Sequence, residues 1–128
     1  MEDDSVKGFH ILNMKVILNG KTFAAECEES GTFRDIEAML PMEFRMRRNG
    51  DVEFTGKLPS KPRNDGRKVS HTQPNEIYYY EGWNVLCLNY RASDISPYTV
   101  TYVGTVSDAE FTEILKRADE PLHVTVEK

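Results

Sequence analysis

Arg45 and Arg47 alternate with Phe44 and Met46, so on a strand the two guanidinium groups share one face and the apolar pair the other. A guanidinium fixed in a partly desolvated cleft can stabilise a pyramidal, single-bonded nitrogen, the chemistry that prolyl isomerisation requires. The simpler reading is an exposed hairpin face on which both arginines pair with Asp51 or Glu53. Tyr78, Tyr79 and Tyr80 are consecutive, so on a strand the middle ring faces away from the outer two. Tyr78 and Tyr80, with the single tryptophan Trp83, could wall an apolar cup. Which tyrosine face is exposed is open at this point. Trp83 itself sits in a Glu81-Gly82-Trp83-Asn84 corner, either as a ligand-binding aromatic or folded over the end of the core.

Residues 44–73 carry eight Lys or Arg against three acids, a local charge of +5 inside a chain whose net charge is −5. Lys61, Arg63 and His71 are the loop side chains that could meet an anionic part of a ligand, and His71 is also a candidate acid or base. The blander reading is a solvated loop. His10, His71 and His123 share no metal-ligand spacing, and no Ser or Cys has an identifiable His partner. No metal and no cofactor are therefore expected. Cys27 and Cys87 stand alone in strand-patterned runs and are expected to be buried, reduced thiols.

The scaffold that must position these groups is small. With 128 residues the chain fits one domain, and its net charge disfavours a dedicated nucleic-acid binder. No apolar run approaches the ~20 residues of a membrane span. The opening Met-Glu-Asp-Asp has the wrong charge for a secretory signal, so a cytoplasmic protein is expected. Residues 1–13 read as a tail or an extra edge segment and 14–128 as the domain.

Within 14–128 the pattern predicts strands over 14–18 and 21–27, joined by an Asn19-Gly20 turn. A short helix follows, capped by Thr32 with Asp35, presenting Phe33, Ile36 and Leu40, and stopped by Pro41. The next hairpin is expected to close through Asn49-Gly50-Asp51, pairing Met46 with Phe54 and Arg47 with Glu53. Residues 56–75 hold three of the six prolines and read as a long loop. Strands are expected over 77–80, 84–90, 99–106 and 123–127. A second helix is expected between the last two, with Ser107 and Glu110 as its capping box. Eight strands and two short helices predict a mainly β protein, a closed barrel with a helix at each end.

That order resembles the small bacterial and archaeal cyclophilin-like proteins, a family without an established common activity. The likeness runs through MKVILNGKTFAAEC, TFRDIEAMLPMEFRM, GKLP, PNEIYYYEGWNVLCLNY, SPYTVTYVGTV and LHVTVEK. It implies a cyclophilin-like closed eight-stranded barrel capped by two helices. Catalytic cyclophilins place an Arg beside a Phe on the third strand and Phe-Met-x-Gln-Gly-Gly on the next. Here MEFRMRRNGDVEFTG has neither the Gln nor the paired Gly, and Phe9-His10-Ile11 lacks the Arg and precedes the first barrel strand. The resemblance thus implies a module that binds a peptide or small-molecule ligand, with weak peptidyl-prolyl isomerase activity as the alternative. Nucleic-acid or anion contact through 44–73 is a third class. A monomer or weak dimer is expected.

Overall fold

The computed structural model describes residues 12–128, so most of the expected N-terminal tail lies outside the described residues. Strand β1 (Leu12–Leu18) starts two residues before the expected Met14 and turns into β2 (Lys21–Cys27). Asn19 and Gly20 both have positive φ, 50° and 82°, the conformation that a tight hairpin needs to match the twist of its strands.

Helix α1 (Gly31–Ala38) is capped by Ser30, whose Oγ accepts from Phe33 N at 2.9 Å. The expected cap, Thr32, is instead buried, and its hydroxyl accepts from the backbone N–H of Asp65 and of Gly66, both at 3.1 Å. Asp35 is engaged by Arg63 rather than by a capping box. Helix α2 (Glu110–Arg117) is corrected in the same way. Asp108 Oδ1, not Ser107, accepts from Glu110 N at 2.9 Å, and the Glu110 carboxylate is occupied by Lys21.

The remaining strands are β3 (Met42–Asn49), β4 (Glu53–Lys57), β5 (Lys68–Val69), β6 (His71–Thr72), β7 (Glu76–Tyr80), β8 (Val85–Asn89), β9 (Ser93–Asp94), β10 (Val100–Val106) and β11 (Leu122–Glu127). Eight of them run β2-β1-β11-β3-β4-β8-β7-β10, and β10 pairs back onto β2 through Gly104↔Cys27 and Val106↔Ala25, closing an antiparallel barrel. The long loop is more structured than expected. β5 pairs with the start of β10, and β6 with β9 forms a separate two-stranded ribbon.

Alternation along the strands fills the barrel with Met14, Val16, Phe44, Met46, Phe54 and Leu88, among others. The middle tyrosine, Tyr79, points into this core. Tyr78, Val85, Cys87 and Val100 form a second, smaller cluster on the outer face, against which Val69, Tyr80, Ile95 and Tyr102 pack.

The β3–β4 hairpin departs from its expected register. The pairs are Arg47↔Thr55, Arg48↔Phe54 and Asn49↔Glu53, so the loop is 50–52 and not 49–51. A shift of two preserves which face each side chain takes, so Met46 and Phe54 are both still buried. Gly50, at φ 59°, opens the loop. Arg48, two residues on from Met46, shares its inward face and sits at the mouth of the barrel. Its guanidinium stacks 4.6 Å from the Phe54 ring centroid and donates to Tyr90 Oη at 2.7 Å, to Leu115 O at 3.3 Å and to Ala118 O. It thereby satisfies carbonyls at the C-terminal end of α2, the groups a helix leaves unpaired. Among the described residues no helix is long and apolar enough to cross a membrane.

Candidate functional site

The outer barrel face built by β3, β4, β8, β7 and β10 carries a cleft of about 310 Å³. Its open side is aromatic. Trp83 and Tyr98, 55% and 70% exposed, are the large apolar side chains that the described residues leave in solvent, and both line it. Tyr80 stands between wall and floor, its ring edge-on to Trp83 with centroids 5.4 Å apart and planes at 84°.

Local backbone chemistry sets these rings. The corner between β7 and β8 turns on Asn84, at φ 55°, with its N–H donated to Glu81 O at 3.1 Å. Asn84 Oδ1 accepts from Tyr79 Oη at 2.8 Å, and Asn84 Nδ2 donates to Ser60 O at 3.2 Å. A Cβ on Gly82 would stand 2.7 Å from the Tyr80 ring, so only glycine lets this corner fold against it. Tyr98 is held by a turn in which its N–H donates to Ile95 O at 2.9 Å, while Ser96 N donates to Asp94 Oδ1. The β6–β9 ribbon brings Thr72, Ser93 and Ile95 to the far wall.

Glu53 also lines the cleft, and it is its one carboxylate. Asn49 Nδ2 donates to Glu53 Oε2 at 2.8 Å, and the Cys87 thiol is close enough to act on the same carboxyl group. Burial pushes this carboxyl above its ordinary value, against the opposing pull of Asn49 and Cys87. Directly across the ladder stands Asn89, fully buried, whose amide nitrogen donates to Gln73 O and Arg91 O. Its Oδ1 accepts no hydrogen bond among the described residues. No ion pair among the described residues includes Glu53, and neither a cysteine nor an acid near it belongs to a grouping that could hold a metal.

The structure brings together some of the residues singled out from sequence and separates others. Tyr80 and Trp83 line the cleft. Tyr78 shares their face but lies fully buried beneath it, donating to Glu76 and accepting from Gln73 N at 2.8 Å. Lys61 is on the other side of Trp83, in a shallow hollow with Lys57 and Glu81, and approaches Glu81 at 3.7 Å. Arg63 grips Asp35 through two bonds of 3.0 Å beside α1. His71 is exposed on the ribbon, 3.5 Å from Asp94, and does not line the cleft. Arg45 and Arg47 are exposed on the outer face of β3 and make no ion pair among the described residues. Arg47 stands two residues along the strand from Asn49, roughly 7 Å at strand spacing.

Several cations of the basic segment are engaged within the chain. Arg67 pairs with Glu28 at 3.1 Å and stacks 4.4 Å from the Tyr102 ring, and Lys68 Nζ donates to the carbonyls of Asn64 and Gly66. Its cations mainly tie the long segment to α1 and to the barrel. Sequence reasoning missed Glu53, Asn49 and Tyr98. Glu53 was hidden by the expected pairing with Arg47, and Tyr98 by a segment whose two-residue strands carry no periodicity.

The family described as the Cyclophilin-like family matches residues 16–127. The solution structure of the hypothetical protein AF2241 from Archaeoglobus fulgidus superposes with a TM-score of 0.64 at 20% identity, over 91% of this chain and 94% of that one. McbB, solved in complex with tryptophan, superposes with a TM-score of 0.60 at 11% identity, over 90% of this chain and 44% of that one. No curated protein matches the chain.

Proposed function

Since the chain belongs to the cyclophilin-like family, we propose that it is a binding module whose ligand, a peptide segment or a small molecule, seats an apolar or aromatic group in the outer-face cleft. The observation that carries this reading is the convergence of Trp83 and Tyr98, both exposed, on one concave site that also holds Tyr80. Exposed rings at a concave site supply contact area at little cost in side-chain entropy. McbB, a protein of the same barrel fold, binds tryptophan, and a ligand of that size is in keeping with the cleft.

The basic loop contributes less to this reading than its charge suggested, because Arg63, Arg67 and Lys68 already have partners within the chain. Weak prolyl isomerisation is the second reading. It is favoured by Arg47, which makes no ion pair among the described residues and shares the outer face with the cleft-lining Asn49.

An amide-shift titration with a capped Ala-Pro-Phe amide tests both. Shifts concentrated at Tyr80, Trp83 and Tyr98 support the module, and no shifts there at millimolar peptide sink it for peptide ligands. Exchange spectroscopy on the same peptide, with Arg47→Ala as control, reads isomerisation. Cis–trans rates equal to those in buffer eliminate the second reading.

A further inference from the structure

Glu53 is a carboxylate without a counter-ion in an aromatic cleft. Its neighbours within the fold are an amide, a thiol and the amide of Asn89, none of which carries positive charge. The cations of the same outer face lie elsewhere. Arg47 is set opposite Thr55 and Lys57 opposite Val85, neither within ion-pair distance of Glu53. A partly buried charge left unpaired costs free energy, and the usual remedy is a cation held by hydrogen bonds. The raised carboxyl of Glu53 agrees with that deficit. Across the ladder, fully buried and outside the cleft lining, Asn89 Oδ1 is a second acceptor lacking a donor among the described residues.

The same cleft is lined by the rings of Tyr80, Trp83 and Tyr98. An aromatic face is the negative pole of the ring quadrupole and attracts an ammonium group. A phosphate or carboxylate would meet Glu53 and gain nothing from those faces.

We propose that the cleft takes a small organic ammonium compound, an amine or quaternary ammonium on an apolar body, with Glu53 as its counter-ion and the rings of Tyr80, Trp83 and Tyr98 as its walls. This rests on reading the cleft as a binding site and names the ligand class for it. The volume of about 310 Å³ suits a free small molecule, at the lower end of the range for small-ligand pockets.

Trp83 is the single tryptophan and lines the cleft, so intrinsic fluorescence reports binding at its ring. Four matched probes are titrated: benzylamine, benzyltrimethylammonium, benzyl alcohol and benzoate. Both cations bind at least about tenfold tighter than benzyl alcohol, as a charge-assisted contact plus ring stacking predicts, and benzoate binds weakest. In Glu53→Gln the cation preference over benzyl alcohol falls sharply, leaving only what the rings supply. The wild-type series alone decides the matter if that variant does not fold. Equal binding of all four probes, tighter binding of benzoate, or a cation preference undiminished in Glu53→Gln overturns the ammonium assignment but leaves the cleft as a binding site. No response to any of the four overturns both. A capped Gly-Lys-Gly peptide that binds tighter than benzylamine would put the ammonium on a protein partner, against the small-molecule assignment.

Discussion

Asn49 and Glu53 face one another across the β3–β4 hairpin, with the Asn49 amide nitrogen 2.8 Å from a Glu53 carboxylate oxygen. Had the hairpin closed one residue earlier, Arg47 would stand there and Glu53 would be half of an ordinary surface ion pair. The observed register sets Arg47 opposite Thr55, gives Glu53 a neutral donor, and leaves the cleft acidic. Arg48, next to Arg47 on β3, takes the opposite, inward face.

Arg48 should therefore matter far more than its neighbour. Arg48→Met keeps the apolar stem but strips donors from Tyr90 Oη and from the Leu115 and Ala118 carbonyls. We expect a loss of about 1–3 kcal/mol in urea unfolding from these unpaired groups. Arg47→Ala, on the exposed face, should stay within about 0.5 kcal/mol. Equal midpoints for the two variants would refute the inward assignment.

Barrel closure depends on Gly104. A Cβ there would stand 2.7 Å from the Glu26 carbonyl oxygen and 2.9 Å from Cys27 Sγ, where β10 meets β2. Because the first obstacle is backbone, Gly104→Ala should destabilise by about 1–3 kcal/mol. Gly20→Ala meets no such obstacle, and any cost there comes from its positive φ. Thermal unfolding of the two variants reads the difference, and an unchanged midpoint for Gly104→Ala would contradict the closure geometry.

Both thiols should be unreactive in the folded protein. Burial pushes Cys27 up to about 12, and burial and then the Glu53 carboxylate hold Cys87 well above the ordinary thiol range. Iodoacetamide near neutral pH should modify neither thiol appreciably until urea unfolds the chain. Rapid alkylation of native protein would show that the outer-face cluster around Cys87 opens readily.

Glu53 leaves a signature in the pH dependence of stability. Its folded carboxyl holds a proton to higher pH than the ordinary value of 4.5, so the folded state binds more protons in that window. The associated stability is present below 4.5 and is lost as pH rises through the raised value. Asp35, Glu29 and Asp94, lowered by their hydrogen-bonding partners, act in the opposite sense at lower pH. The difference between wild type and Glu53→Gln isolates the effect, which should fall as pH rises above 4.5. Of the side chains that engage or face Glu53, Asn49 and Asn89 do not titrate and the Cys87 thiol stays protonated. A wild-type advantage that grows with pH would reverse the assigned environment.

How much of this was legible in the residues follows from which contacts are local. Asn19-Gly20 states its own turn, and alternation separates Tyr79 from Tyr78 and Tyr80, but only the fold sends the middle ring into the core. Hairpin register is less local. The Phe44–Arg47 and Val52–Thr55 patterns are satisfied equally by registers two residues apart, so nothing in their alternation chooses between the two. The ribbon of β6 and β9 joins two-residue segments with no periodicity, so the wall bearing Ile95 and Tyr98 is a tertiary product. Trp83 is conspicuous as a lone tryptophan, but only the fold shows that its ring is left exposed beside a cleft.

The central claim is that ligand enters on the Glu53 side of Trp83, and the Trp83 indole alone cannot test it because that ring borders two hollows. A titration of ¹⁵N-labelled protein with benzylamine does so. We predict saturating shifts at Asn49, Glu53, Ile95 and Tyr98 together with the Trp83 indole N–H. Shifts concentrated instead at Lys57, Lys61 and Gly82 would move the site to the other side of the ring and contradict the account.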